Sequence, residues 1–189
     1  MKKILLIVGG VLTTVFLVIG ALWISAFNGA IRKDNAVSEK RANIHASLSA
    51  RYEKVVVFVD AIESANETIL TYLETIMDAR TAFADAIDSS NNVAADSAAT
   101  TIDGTFVTLV AYMEDNPDSY NTVSLYSGYM AEFAASTNKV RFDIGEFNAA
   151  ARSYNTHIQT FPNNIFVGTR QTISEYSLTN YNATLPSFN

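Results

Sequence analysis

The sequence predicts an all-α protein: an N-terminal transmembrane helix, then an elongated antiparallel bundle of about four long helices, then an irregular C-terminal tail. Three observations predict it. Residues 4–24 form an apolar run without a single charge. No glycine or proline occurs between Gly29 and Gly104. Beyond the first run, apolar residues recur at steps of three and four, the pattern of one buried helix face. The expected domains are an anchor at 1–27, a helical bundle at 28–162 and a tail at 163–189.

The first element, ILLIVGGVLTTVFLVIGALWI, is long enough to cross a hydrocarbon layer of ~30 Å as a helix. Trp23 near its end suits the membrane interface. Lys2 and Lys3 could open a signal peptide, but the run exceeds the ~7–15 apolar residues of such a segment. Neither Ile24-Ser25-Ala26 nor Ile19-Gly20-Ala21 has a small residue three before the cut. A retained anchor follows, with the bilayer as partner and a single-pass protein of the cell membrane as the expectation. The membrane-proximal basic residues Arg32, Lys33, Lys40 and Arg41 follow the span within ~20 residues, so both flanks are basic and both orientations stay open.

In the body, Ile44, Leu48, Val55, Val59 and Ile62 form a first stripe. A capping-box pattern at Ser64-Ala65-Asn66-Glu67 interrupts it. Ile69, Leu73, Ile76, Phe83 and Ile87 form the second stripe, ended by a polar turn at Ser89-Ser90-Asn91-Asn92. The third is Ile102, Phe106, Leu109 and Met113, stopped by Asp115-Asn116-Pro117-Asp118. A fourth helix, from about Tyr120 to Thr160, carries Val140, Ile144, Phe147, Ala151, Tyr154, Ile158 and Phe161. Such helices cannot bury their faces separately, and an antiparallel bundle is the natural solution. The Asn-, Ser- and Thr-rich stretch after Asn163, with Pro186, reads as irregular chain lying along the bundle.

Charge and chemistry narrow the function. The net charge of −6 divides unevenly. Residues 1–54 hold eight basic and three acidic side chains, a balance of +5, and the rest hold five basic and sixteen acidic ones, a balance of −11. A body this acidic repels phosphate backbones, so no nucleic-acid partner is expected, while anionic headgroups would attract the basic collar. With no cysteine there is neither a disulfide nor a thiolate site. A di-metal bundle site needs Glu-x-x-His, but Ala42 and Tyr154 stand three before His45 and His157. Both histidines are expected at the surface or half-buried, and no metal or cofactor is expected. The eight glycines form no nucleotide loop, and no catalytic residue is nominated. Arg80 is expected to pair inside the bundle with Glu74 or Phe83. Asn148 and Asn155 lie one heptad apart beside the apolar seam, where their amides are expected to cap or bridge neighbouring helices and fix register, the alternative being a ligand or partner contact.

The chain resembles the LemA family of bacterial membrane proteins, as a divergent member. Asn138-Lys139-Val140, Phe147-Asn148, Arg152, Tyr154-Asn155-Thr156, Ile158, Phe161-Pro162 and Asn164 are similar to that family's pattern E-N-x-I…R-x-x-Y-N…Y-N-x-x-I-x-x-F-P-x-N. Ile44, Leu48, Arg51-Tyr52, Ala79-Arg80 and Asn116-Pro117-Asp118 are weaker correspondences. The chain departs from the family at Val56, where a proline is usual, at Thr137, in place of a glutamate, and at Ile144, in place of an arginine. The resemblance implies a single-pass membrane protein with a helical extramembrane domain, a short N-terminus outside the cell and no established enzymatic activity. It also implies a link with membrane organisation and remodelling.

The resulting expectation is a non-enzymatic, membrane-anchored scaffolding or interaction protein whose spare apolar seams pair copies into a homo-oligomer. The alternative is a helical-bundle sensor or ligand-binding module. No second apolar run approaches membrane-spanning length after Ile24, so a sensor would act through a partner membrane protein.

Overall fold

The apolar run and the first part of the glycine- and proline-free stretch join in one helix of 59 residues. In the computed structural model, which describes residues 1–60, 67–89, 91–116 and 123–176, α1 runs unbroken over Lys2–Asp60. It is followed by α2 (Glu67–Asp88), α3 (Asn92–Asp115), α4 (Val123–Gln159) and the short α5 (Asn163–Val167). Among the described residues there is no strand. The fold is all-α.

Local chemistry sets the ends. Asn91 Oδ1 accepts from the Ala94 amide at 3.1 Å, capping α3 at the expected polar turn. At the other end the Asn116 amide group donates to the Tyr112 carbonyl at 2.8 Å, filling an acceptor the last turn leaves open. Ser64, Ala65 and Asn66 of the expected capping box lie outside the described residues, as do Ser90, Pro117, Asp118, Tyr120 and the tail from 177, Pro186 included. Val55, Val59 and Ile62 lie outside the residues whose side chains are described.

The chain divides into two compact units. One contains Met1–Arg41 and Gly145–Tyr176; the other contains Ala42–Ile144. In the second, the stripes face inward: Ile44, Leu48 and Tyr52 of α1, Ile69, Ile76 and Phe83 of α2, Ile102, Phe106 and Leu109 of α3, and Val140 and Ile144 of α4 are buried. α2 and α3 form an antiparallel hairpin, with Tyr72 near the start of one 6.2 Å from Tyr112 near the end of the other. Phe83 meets the Tyr52 ring edge-on at 5.3 Å, a favoured aromatic geometry.

In the first unit, small residues of α1 (Ala26, Gly29, Ala30) and Val37 meet Phe147, Ala151, Tyr154 and Ile158 of α4, all of them buried. α4 runs antiparallel to α1 there. Lys40 pairs with Glu146 at 3.3 Å, and His157 reaches Ala26.

Three expectations need correction. Phe161 is 74% exposed rather than the seventh member of the α4 stripe, because the helix ends at Gln159 and the following turn carries the ring outward. The stretch after Asn163 is not irregular at its start. Pro162 precedes α5, where its missing N–H costs nothing, and buried Val167 holds the short helix in place. His45 is neither surface nor half-buried; only 9% of it is exposed, and it lies edge-on to Phe83 at 6.1 Å.

Candidate functional site

Among the described residues, the two heptad-spaced asparagines of α4 bridge to no neighbouring helix, contrary to expectation. They hold instead the non-helical chain that follows α5, whose backbone N–H and C=O groups lie outside any helix. Asn148 donates from Nδ2 to the Tyr176 carbonyl at 3.0 Å, and its Oδ1 accepts the Tyr176 amide at 2.9 Å. Asn155 repeats the arrangement on Ile173, with both bonds at 2.9 Å. Each side-chain amide thus pairs with the N–H and the C=O of one residue, as a neighbouring strand would. The spacing accounts for it. Seven helical residues rise about 10.5 Å, and three extended residues cover about 10 Å. Residues 171–176 are therefore held as an extended strap running antiparallel to α4.

Charged and aromatic groups clamp the same strap. Arg152 pairs with Glu175 at 2.7 Å. The Arg41 guanidinium donates to the Tyr176 hydroxyl at 3.0 Å and lies 4.8 Å from the centre of the Phe147 ring. Phe147 and Tyr176 meet at 5.1 Å. Arg170, just before the strap, stands over Phe27 at 5.1 Å.

A second feature of this unit is an open groove of about 500 Å³ lined by Ser25, Gly29, Arg32, Lys33, Ala36, Ala150, Ser153 and His157. Its floor depends on a close approach. A methyl group on Gly29 would fall 2.5 Å from His157 Cε1. His157 Nε2–H donates to the Ala26 carbonyl at 2.9 Å, and Nδ1 accepts from the Asn163 amide at 3.2 Å, so both ring nitrogens are used. Lys33 Nζ donates to Ser153 Oγ at 2.7 Å. Neither Arg32 nor Lys33 has a carboxylate partner among the described residues, and no acidic side chain lines the groove.

In the other unit a buried ion pair joins α1 to α3: Arg51 Nη2 lies 3.1 Å from Asp103 Oδ1. Burial pushes the Asp103 carboxyl up to about 6, and the Arg51 charge offsets part of that rise. The Tyr52 hydroxyl donates to the Ala99 carbonyl at 3.3 Å. Buried Asp143 on α4 pairs with Lys139 one turn earlier.

The motif residues therefore separate. Asn148, Arg152 and Asn155 converge on the strap, with Tyr154 buried beneath. Phe161 and Pro162 form the turn, and the Asn164 carbonyl accepts the Gly168 amide at 3.1 Å. Asn138 is exposed and belongs to the other unit. Of the basic collar, Lys40 and Arg41 are engaged with Glu146 and the strap, whereas Arg32 and Lys33 face the groove. Sequence reasoning missed Ile173 because the asparagines grip main chain and leave no side-chain signature, and it missed Glu175 and Tyr176 because their side-chain partners Arg152 and Arg41 lie far away in the sequence. It missed Asp103 because a lone carboxylate beside an apolar stripe looks solvated. Among the described residues no group of three or more metal-binding side chains occurs.

Comparison with known proteins gives one family. The model of the LemA family matches residues 40–186, starting after the apolar part of α1. No curated protein and no solved structure matches.

Proposed function

Because this chain belongs to the LemA family, we propose that it is a membrane-anchored, non-enzymatic scaffolding protein that takes part in membrane organisation. One observation carries the reading. The large apolar side chains from Ile4 to Ile24 are all exposed within the chain, so the fold itself leaves them without cover, and a bilayer supplies it. Anchoring concentrates copies in one plane, and exposed Leu70, Met77 and Phe142 on the body offer apolar contact between them. Light scattering on the detergent-solubilised full chain tests the assembly. A mass that rises with concentration is expected, and a monomer at every concentration removes the scaffolding role.

The groove beside the anchor favours a second reading, a ligand-binding module acting through a partner membrane protein. In that case ligand would change the mass of a complex with the partner and leave self-association unaffected.

A further inference from the structure

We propose that the groove between α1 and α4 binds the phosphate of an anionic lipid, with Arg32 and Lys33 as its cations and the adjoining turn dipping into the bilayer. The inference rests on the anchor reading above and assigns a site to it.

Level along the membrane normal is the first argument. Ser25 follows the apolar run directly, and Gly29 and Lys33 lie about 6 and 12 Å further along the helix. The headgroup layer of one leaflet is about 5–8 Å deep. Helical side chains lean toward the N-terminus, which here is toward the bilayer, and long basic side chains reach further still. The Arg32 and Lys33 charges therefore come within the layer where lipid phosphates lie.

Chemistry is the second. The groove offers two cations without carboxylate partners, the hydroxyls of Ser25 and Ser153, and no acidic lining. That set suits a phosphodiester, which wants charge and hydrogen-bond donors together. Lys40 and Arg41, a turn or two further from the anchor, are occupied by protein partners.

The third argument separates a lipid from a free phosphate. His157 is level with Ala26, and Arg170 is level with Phe27. The chain between them turns on the side nearer the apolar run, and it carries Phe161 and Ile165, which are 74% and 66% exposed. Two large apolar side chains at the bilayer end suit the acyl boundary. A soluble anion gives them no purpose.

The test uses the full chain purified in detergent, with bound lipid counted by native mass spectrometry after equilibration with equal phosphatidylglycerol and phosphatidylcholine. The wild type is expected to retain phosphatidylglycerol preferentially. In R32Q/K33Q that preference falls about thirtyfold, the equivalent of about 1 kcal/mol per charge. R80Q/R141Q, which removes two charges from the other unit, keeps it. Ala150→Leu, which fills the groove without altering charge, loses it. Equal retention by all four proteins overturns the site. So does a preference lost equally in R80Q/R141Q, which would mark diffuse attraction. In a parallel arm inorganic phosphate replaces lipid; protection of residues 150–157 from hydrogen exchange by phosphate, with no lipid preference, overturns the lipid source. Insertion of the anchor is read separately, by extraction from membranes, so failure of the groove and failure of the anchor remain distinguishable.

Discussion

Asp103 on α3 is paired with Arg51 at 3.1 Å, and burial raises its carboxyl pKa. It stands beside the buried Ala99, Ile102 and Phe106, and the helix delivers it to Arg51 in a largely buried setting. The folded carboxyl titrates near 6 against an ordinary value of 3.8. Between those values the folded chain holds a proton that the unfolded chain has released, so this group's contribution to stability falls as pH rises toward 6 and then levels off. Moving from pH 7 to pH 5 should therefore return about 1 kcal/mol through this residue alone. Denaturant unfolding of wild type and Asp103→Asn at both pH values checks it. The difference between the two proteins should change by that amount, and an unchanged difference would mean the carboxyl titrates normally. This pair was not legible beforehand, since Arg51 and Asp103 are fifty-two positions apart and periodicity does not report partners.

At the level of elements, the stripes were legible and the ends were less so. Periodicity located α2, α3 and α4 because each buries one face, and burial of Ile69, Ile102 and Val140 follows from spacing alone. Ile144, where the resemblance leads one to expect an arginine, is fully buried, so an apolar side chain suits that position here. Which residues of the chain after α5 are held was not legible, because an extended segment fastened by another element's side chains has no period of its own. Its dependence on α4 is testable. Asn148→Ala or Asn155→Ala removes two hydrogen bonds worth about 1 kcal/mol each, so exchange of the Ile173 and Tyr176 amides should quicken about thirtyfold. Hydrogen-exchange mass spectrometry on peptides covering 171–176 measures this. Unchanged protection would show that the Arg152 and Arg41 clamps suffice without the amides.

Over the whole molecule, charge and hydropathy are partitioned along the chain. The apolar run and the basic balance lie in the first 54 residues, and the acidic excess lies in the rest. This was fully legible, because composition does not depend on knowing the fold. The anchor reading makes a direct prediction. Placing lysine at both Val11 and Phe16, near the middle of the run, costs about 2.5–3.5 kcal/mol at each position on insertion scales. Wild type should stay in the pellet after alkaline extraction of membranes, and V11K/F16K should move to the supernatant. A wild type released as readily as the variant would end the anchor interpretation.

The grip on the strap has one more consequence. Where the two asparagines grip, they hold the backbone and are indifferent to the side chains beside it. Thr172 and Ser174 could be exchanged for most other residues without loosening the hold, whereas proline at 173 or 176 would remove a donor that the asparagines need. At positions 172 and 174 the fastening therefore leaves no inscription on the strap; it is written on the two asparagines of the helix and, within the strap, on Glu175 and Tyr176, whose side chains Arg152 and Arg41 hold.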